Sequence, residues 1–430
     1  MARNMKDSGI EWIGEIPEGW EIVPVRSCFD EVRTKNTDGQ EQNALQFKSG
    51  NIISKTNFNA SMDDYVADTI TNYTVVLPDT VMINGLNLNY DFKSLRVALV
   101  KEKGVITSAY LAIFPDRKKI SPQYATYLFK GYETKMAFHN MGAGIRKTLG
   151  YKEFKNQPLL LPSEKEQNKI SAYLDSKCSH IDIMLSKIRS SIEEYKKLKQ
   201  AVITQAVTKG VRGEREMKDS GVEWIGEIPK EWVIQKIKSI SSRINVGVVI
   251  RPSEYFDENG TVPFLRGINV KEYLISSDNM VYINESSNHI LSKSQVHTDD
   301  ILIVRDGSIG TSCVVPAEYD GANVVSMVIV TPSISCDSRF TCYSLNSDVG
   351  KTQFTLTKIG SALTHTSVSA VSDIIVAVPS CAEQKEIADY LDAKCAEIDG
   401  LIAKKEQLVK ELESYKKSLI YEVVTGKREV

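Results

Sequence analysis

The chain contains two copies of one framework, and this duplication limits its fold more than any other feature of the sequence. Residues 6–17 read KDSGIEWIGEIP, and residues 218–229 read KDSGVEWIGEIP, 212 positions later. Residues 162–178 (PSEKEQNKISAYLDSKC) and 379–395 (PSCAEQKEIADYLDAKC) form a second matching pair with an offset of 217 positions. A repeat of this kind indicates two modules of one fold arranged in tandem.

The segments between the matching motifs are dissimilar. Residues 27–160 and 239–377 barely match, whereas the four tryptophans of the chain, Trp12, Trp20, Trp224 and Trp232, all lie in the repeated motif. Ordinary drift after duplication is the alternative explanation, but drift would erode the tryptophan motif as well. We therefore infer two modules with different ligands. A motif that is the same in both copies cannot distinguish two targets, so we expect the tryptophans to anchor the N-terminal arm of each module onto its helices.

The second repeated motif has the signals of a helix start. Ser163 with Glu166, and Ser380 with Glu383, match the S-x-x-E capping box, in which the glutamate reaches back to the amide of the serine. Apolar residues then recur at alternating spacings of three and four, which is typical of a coiled coil. The predicted seams are Ile181, Met184, Ile188, Ser191, Tyr195, Leu198 and Val202, and Ile398, Leu401, Lys405, Leu408, Leu412, Tyr415 and Leu419.

Two seams in one chain can bury each other, so we predict that the two helices pair antiparallel. About 45 helical residues span roughly 65–70 Å, which is long enough for a spacer. Packing of each helix back onto its own module is the alternative.

The dissimilar segments contain short β-branched runs with the length of strands. These are Tyr73–Leu77, Val81–Ile83, Val97–Val100, Tyr110–Phe114, Leu159–Leu161, Ile301–Val304, Val324–Val330 and Ile374–Val378. Residues 83–90 (INGLNLNY) and 304–310 (VRDGSIG) read as loops. The predicted fold class is therefore α/β (α+β), with two similar strand-rich domains joined by two long helices that pair as an antiparallel coiled coil. We place the first domain at 1–160, the first spacer helix at 161–212, the second domain at 213–378 and the second spacer helix at 379–430.

Composition excludes several classes of protein. The 430 residues are 42% hydrophobic and 25% charged, which is the balance of a globular protein. No run of about 18 apolar residues occurs, and the N-terminus lacks the apolar core of a signal peptide, so we expect no membrane span and a cytoplasmic location. The seven cysteines lack C-x-x-C spacing, which predicts reduced, mostly buried thiols. The net charge of −2 requires that any nucleic acid be met by local basic groups or with the help of a partner.

Motifs for catalysis are not found. Neither GKT at 350–352 nor GAGIRKT at 142–148 has the glycines of a phosphate-binding loop, and the five histidines match no zinc motif. We therefore predict no catalytic residue, no metal ligand and no cofactor in this chain. An enzyme with an unrecognised site is the alternative.

Three motifs together resemble the specificity subunits of type I restriction–modification systems. They are P-x-x-x-E-Q-x-x-I-x-x-Y-L-D at the start of each long helix, the helix ends Val207–Gly210 and Val424–Gly426, and W-I-G-x-I-P-x-x-W. The resemblance covers essentially the whole chain. It implies two target-recognition domains that each read one half of a bipartite, asymmetric site in double-stranded DNA, with the paired helices fixing the gap between the halves.

The resemblance also implies partners for the helical region. Two modification (methyltransferase) subunits would bind there, with restriction (motor-endonuclease) subunits joining for cleavage, and these partners would use S-adenosylmethionine, ATP and Mg²⁺. The repeated helix start then supplies the partner-binding candidates Glu166, Gln167, Tyr173, Glu383, Gln384 and Tyr390.

Base reading requires donors and acceptors such as Arg or Lys for guanine and Asn or Gln for adenine. In the first module these groups occur in two polar loops, 84–96 and 142–152, and the candidates are Asn84, Asn87, Lys93, Arg96, Arg146, Lys147 and Lys152. In the second module the matching stretches supply Arg305, Ser308, Lys358, Ser361, Thr364 and His365, and Arg266 is a further candidate. A solvated surface charge is the alternative for each basic residue.

A second functional reading is a protein-binding adaptor that has two ligand domains on a coiled-coil arm and does not bind DNA. Composition alone does not separate it from DNA recognition. Salt-sensitive, sequence-specific retention of DNA fragments would separate the two functions.

Overall fold

The computed structural model of the chain describes residues 3–48, 50–55, 70–93, 95–142, 144, 147–359 and 365–430. It divides into two compact units, of which the first contains Met1–Arg189 with Glu406–Val430 and the second contains Ser190–Lys405. Each unit therefore holds the start of one long helix and the end of the other. None of the described helices is both long enough and apolar enough to cross a membrane.

Short strands and helices form most of the first unit. Its strands are β1 (Met5–Asp7), β2 (Glu15–Pro17), β3 (Glu21–Pro24), β4 (Phe29–Glu31), β5 (Leu45–Lys48), β6 (Asn51–Ser54), β7 (Thr74–Val76), β8 (Val81–Ile83), β9 (Val97–Leu99), β10 (Gly104–Ile106), β11 (Leu111–Pro115) and β12 (Pro158–Leu161). Its short helices are α1 (Pro122–Thr134), α2 (Ala137–Met141) and α3 (Tyr151–Phe154). Strands β4, β11, β8 and β9 lie side by side in that order in an antiparallel sheet, and α1 packs against β8 and β9.

The second unit has its own set of short elements. Its strands are β13 (Met217–Asp219), β14 (Glu227–Pro229), β15 (Val233–Lys236), β16 (Ser241–Val246), β17 (Val262–Leu265), β18 (Val270–Lys271), β19 (Leu274–Ile275), β20 (Val281–Ile283), β21 (Ile301–Val304), β22 (Ser312–Val314), β23 (Asn323–Val324), β24 (Met327–Pro332) and β25 (Ile375–Val378). The two long helices are α4 (Glu164–Lys209) and α9 (Cys381–Val424), and the remaining helices are α5 (Glu285–Ile290), α6 (Ser338–Asn346), α7 (Asp348–Ile359) and α8 (Val368–Ser372).

The two units are built on the same sheet. In the second unit β16, β24, β21 and β22 lie side by side in that order. In both sheets the strand that comes last in the chain therefore lies between the first and the second. The predicted strands Val81–Ile83 and Ile301–Val304 are present, and each is the second strand of its sheet in chain order. The predicted run Val324–Val330 is split between β23 and β24, because Ser326 has a left-handed backbone with φ of 48°.

The long helices pair antiparallel within each unit. In the first unit Lys416 Nζ lies 2.6 Å from Asp182 Oδ1, and Arg189 forms an ion pair with Glu413. In the second unit Lys199 Nζ lies 2.6 Å from Asp399 Oδ2. Lys199 and Asp182 of the first repeat correspond to Lys416 and Asp399 of the second, since each pair differs by 217 positions. The predicted fold class and helix pairing are confirmed.

The register of the predicted seam was wrong at alternate positions. Ile181 and Ile398 are buried as expected, but Met184, Leu198, Leu401, Leu408 and Tyr415 are exposed. The residues that follow them are buried or half-buried instead: Leu185, Lys199, Ile402, Val409 and Lys416, with Ile192 buried after Ser191. Pairs such as Met184 and Leu185 are both apolar, so spacing alone could not choose between them. The choice is made by the module core, because Ile170, Leu174, Cys178, Ile181 and Leu185 lie on one face and join it.

The repeated tryptophans anchor the arm of each unit, as predicted for Trp20 and Trp232. Both rings are buried, and their Nε1 atoms donate to Glu166 Oε2 at 2.9 Å and to Glu383 Oε2 at 3.3 Å. The predicted capping box is therefore wrong for its glutamates. They accept from an indole N–H and not from the backbone amide of the serine three residues earlier. In the second copy the serine half is present, because Ser380 Oγ accepts from Glu383 N at 3.4 Å.

An arginine completes this contact in both units. Arg3 lies 5.5 Å from the ring centre of Trp20 and forms an ion pair with Glu166. Arg215 lies 5.3 Å from the ring centre of Trp232 and 2.7 Å from Glu383 Oε1. We call each set of Arg, Trp and Glu the arm anchor. Its arginine lies three residues before the repeated motif and was missed from the sequence.

The corrected register leads to a prediction with adjacent residues as test and control. Leu185→Ala removes a buried side chain and should lower the free energy of unfolding by about 2–4 kcal/mol, because it leaves a cavity in the core of the first unit. Met184→Ala changes an exposed side chain and should alter it by less than about 0.5 kcal/mol. Urea unfolding followed by circular dichroism measures both values. A larger loss of stability in Met184→Ala than in Leu185→Ala would support the seam predicted from the sequence instead.

Candidate nucleic-acid interface

The two loops singled out in the first module lie together in the structure. Residues 84–96 connect β8 to β9, and residues 142–152 precede and include the start of α3. Leu149 N donates to Gly85 O at 2.9 Å, and Leu88 N donates to Lys147 O at 3.2 Å. A Cβ on Gly85 would lie 2.4 Å from the carbonyl oxygen of Leu149, so this close approach requires glycine. The described residues of these two loops form one surface, which we call the first-unit loop pair.

The second unit brings its two stretches together at the equivalent place. Residues 305–311 connect β21 to β22, the second and third strands of that sheet. Thr366 N donates to Arg305 O at 3.1 Å, and Arg305 Nε donates back to Thr366 O at 3.0 Å. Asp306 and His365 are also paired through the backbone. We call residues 305–311 together with the described part of residues 358–369 the second-unit loop pair.

The candidate DNA-reading side chains differ in exposure. Asn87, Lys93, Lys147, Lys152 and Ser308 are exposed, while Asn84, Arg266, Arg305 and His365 are half-buried. Arg266 donates through its guanidinium to Asn279 O. Arg146, Ser361, Thr364 and the side chain of Lys358 lie outside the described residues. A role in DNA binding stays a prediction for each of them.

Arg96 departs from the expectation of a direct contact. Its side chain is only 1% exposed and points into the first-unit loop pair. Its Nη1 donates to Asn84 O at 2.9 Å and Leu86 O at 2.8 Å, and its Nη2 donates to Asp91 O at 2.5 Å. Three of its N–H donors are thus bound to backbone carbonyls, and Nη2 also lies 3.6 Å from Asp91 Oδ2. The enclosed guanidinium therefore does not face a base on the outside.

The support beneath this loop includes a carboxyl group with an unusual pKa. Glu133 of α1 accepts a hydrogen bond from Arg96 N. Burial raises the pKa of Glu133 to about 7, against the smaller opposing effects of the Arg96 amide and the charge of Lys130. The carboxyl therefore changes its charge within the range of pH at which proteins work.

Several of the partner-binding candidates are internal. Gln167 is 1% exposed, and its amide accepts from Ser121 N at 2.8 Å and donates to Pro162 O at 2.9 Å. Gln384 is equally buried and accepts from Asp337 N at 2.9 Å. Ser121 and Asp337 are the residues that cap α1 and α6, so both glutamines fix the start of a helix in their own unit.

The remaining partner-binding candidates divide between the core and the surface. Glu383 is 2% exposed and belongs to the arm anchor, whereas Glu166 and Tyr173 are half-buried and Tyr390 is 38% exposed. Among these candidates, Tyr173, Tyr390 and part of Glu166 reach the surface, and a role in partner binding stays a prediction for them.

The groups that could carry chemistry are few in the described part of the chain. No set of three or more His, Cys, Asp or Glu there could hold a metal ion. Cys28, Cys178, Cys313, Cys342 and Cys395 are buried free thiols, as predicted, and burial raises the pKa of Cys313 to about 12. These thiols pack as small apolar groups.

Comparison with known proteins gives one consistent result. Residues 229–411 match the family model described as the type I restriction modification DNA specificity domain. A relative assigned as the type I restriction enzyme MjaX specificity subunit of Methanocaldococcus jannaschii is 25% identical over 428 residues, which cover 96% of this chain and 95% of the relative. The MjaVIII specificity subunit of the same organism is 24% identical over 418 residues, with coverage of 96% and 93%.

Solved structures share the fold. A chain from a structure on complex assembly and conformational transition of the type I R-M system superposes with a TM-score of 0.72 at 14% identity, covering 96% of this chain and 99% of that one. The HsdS subunit from Thermoanaerobacter tengcongensis gives a TM-score of 0.51 at 15% identity, with coverage of 99% and 100%.

The raised pKa of Glu133 predicts a pH-dependent stability. The folded state holds a proton on this group up to about pH 7, whereas the unfolded chain loses it near its ordinary value of 4.5. Between pH 4.5 and about 7, folding is therefore accompanied by binding of a proton to Glu133. The contribution of Glu133 to stability is complete below pH 4.5 and is lost as the pH rises to about 7. Glu133→Gln removes the titration. The stability of this variant relative to the native chain should rise by about 1–3 kcal/mol between pH 4.5 and 8.

Urea unfolding at a series of pH values measures this difference. A gap between the two proteins that stays constant with pH would show that Glu133 does not titrate in this window.

Proposed function

Because the chain belongs to the family of type I restriction–modification specificity subunits, we propose that its two units each read one half of a bipartite, asymmetric DNA site. DNA sequence recognition in restriction–modification is the function of the family. The observation that supports a two-part site is that one framework carries two different loop pairs. The sheet order, the arm anchor and the glutamine at the helix start are the same in both units, whereas the loops between the second and third strands differ.

The chemistry of the exposed side chains supports different preferences for the two halves. The first-unit loop pair presents Asn87, Lys93, Lys147 and Lys152, whose groups suit adenine, guanine and phosphate oxygens. Among its described side chains, the second-unit loop pair presents Ser308 with half-buried Arg305 and His365. These carry fewer positive charges than the described side chains of the first-unit loop pair. Two such surfaces would select unlike base sequences, and the first would depend more on phosphate contacts.

Catalysis is assigned in this proposal to other subunits. Two modification subunits would bind the region of the long helices, near Tyr173 and Tyr390, and would bring S-adenosylmethionine to the DNA. Restriction subunits that use ATP and Mg²⁺ would join the same assembly. The near-neutral charge of the chain, −2 overall, agrees with a DNA channel that the partners help to enclose.

Methylome sequencing tests the proposed function directly. A host that carries this chain with its modification partner should show one methylated motif with two unlike halves separated by a fixed gap. A matched host with the modification partner alone should lack that motif. A continuous or palindromic motif would contradict the two-part reading.

Gel-shift measurements separate DNA recognition from the adaptor reading. The purified complex should retain fragments with the motif in preference to scrambled fragments, and binding should weaken steeply as the salt concentration rises, because phosphate contacts release counterions. Equal retention of both fragments at all salt concentrations would favour the adaptor.

A further inference from the structure

The buried side chain of Arg96 binds the long loop of the first-unit loop pair from its inner side. Arg96 stands at the end of residues 84–96, and its guanidinium binds the carbonyl oxygens of Asn84, Leu86 and Asp91, which span most of the loop. Arginine is suited to this task because its planar group offers several donors at fixed angles. Loss of these hydrogen bonds would leave the carbonyls of Asn84 and Leu86 without this donor, at a cost in stability.

The arginine itself is fixed at its backbone. Arg96 N donates to Oε1 of the Glu133 carboxyl group, and Val97 begins strand β9 directly after it. The opposite end of the loop is held at Ile83, the last residue of β8. The described residues of this loop therefore connect two neighbouring strands, and Arg96 links them to Glu133 of α1.

That outer edge carries aromatic side chains in solvent. Tyr90 is 74% exposed and Phe92 is 56% exposed, and Asn87 and Lys93 are exposed beside them in the sequence. One face of Phe92 stacks on His139, with 5.0 Å between ring centres and 12° between planes. His139 Nε2 lies 3.1 Å from Asp91 O, which holds the histidine in place. Exposed aromatic rings are suited to apolar contact with base edges in a groove of the duplex, such as the methyl group of thymine.

In the second unit, backbone hydrogen bonds within the turn hold the equivalent loop. Residues 305–311 form a short turn in which Gly310 N donates to Val304 O at 3.0 Å and Thr311 N donates to Ser308 O at 3.1 Å. Thr311 precedes β22 as Arg96 precedes β9. A substitution of Arg96 should therefore affect the loop of the first unit only.

We propose that Arg96 is a positioning residue for DNA reading by the first unit: it holds residues 84–92 in the shape that presents Asn87, Tyr90 and Phe92 to the base pairs of one half-site. The proposal rests on the proposed function and adds to it the device that sets specificity in one unit. Lys93 supplies a positive charge next to the aromatic pair for the phosphates on either side.

The test uses the complete complex with its modification subunits and the methylated motif of the native complex. Methylation rates are measured on the native duplex and on duplexes with one base pair changed, first in one half and then in the other. Arg96→Lys keeps the charge but cannot reach three carbonyls. It should reduce discrimination against wrong base pairs by about tenfold or more in one half-site and leave the other half-site unchanged.

Arg117→Lys is the matched control, because Arg117 is a surface arginine of the same unit, paired with Asp79 at 2.6 Å. It should leave discrimination in both half-sites unchanged. A purely structural role of Arg96 would lower activity without changing selectivity, or would change both halves equally, and either result would overturn the proposal.

Tyr90→Ala keeps the proposal testable if the Arg96→Lys complex does not assemble. Tyr90 is mostly in solvent, so its removal should leave assembly intact and reduce discrimination in the same half-site by about tenfold. Unchanged discrimination would refute the assignment of this loop. If the native complex shows no two-part motif at all, the proposed function fails first, and the two failures are distinguishable.

Discussion

A buried indole N–H that donates to a carboxylate is the contact on which both units depend. Trp20 meets Glu166 and Trp232 meets Glu383, so the arm of each repeat is bound to the first turn of its own long helix. Glu383 is 2% exposed, and a carboxylate this deeply enclosed is stable only if it is hydrogen-bonded and paired, as it is here by Trp232 and the stacked Arg215. Loss of either partner would leave this charge buried without full compensation, whereas the half-buried Glu166 is less dependent on its partners.

The end of the other long helix closes the same region. In the first unit the glycine that ends α9, Gly426, lies against Pro17 of the arm, and Tyr421 Oη donates to Trp12 O at 2.7 Å. In the second unit Gly210 follows α4 and lies against Arg215. Both glycines have a left-handed backbone, with φ of 72° and 76°, which other residues rarely adopt. Each arm is thus held between the start of one helix and the end of the other.

The framework could be predicted from the sequence because its signals are local or repeated. Strand length and β-branched content located Val81–Ile83, and the duplication showed that the second unit would have a matching sheet. The helix register could not be predicted, because Met184 and Leu185 are both apolar and the core that selects between them comes from distant residues. The partner of Glu166 lies 146 positions away at Trp20, while a capping box offers a nearer one.

The candidate interface was predictable as a pair of loops but not residue by residue. Arginine in a polar loop is typical of a DNA contact, and only the fold shows that Arg96 turns inward to three carbonyls. The glutamines at the helix starts gave a similar misleading signal, since Gln167 and Gln384 recur at equivalent positions yet each serves the backbone of its own unit.

The unequal lengths of residues 84–96 and 305–311 affect how such a protein can acquire a new preference. The two backbones follow different paths between the same pair of strand ends, so exchanging single side chains cannot convert one surface into the other. The strand ends are alike, however, and the longer segment carries its own internal brace. A new preference is therefore most readily gained by grafting a whole segment, brace included, between Ile83 and Val97 or between Val304 and Ser312.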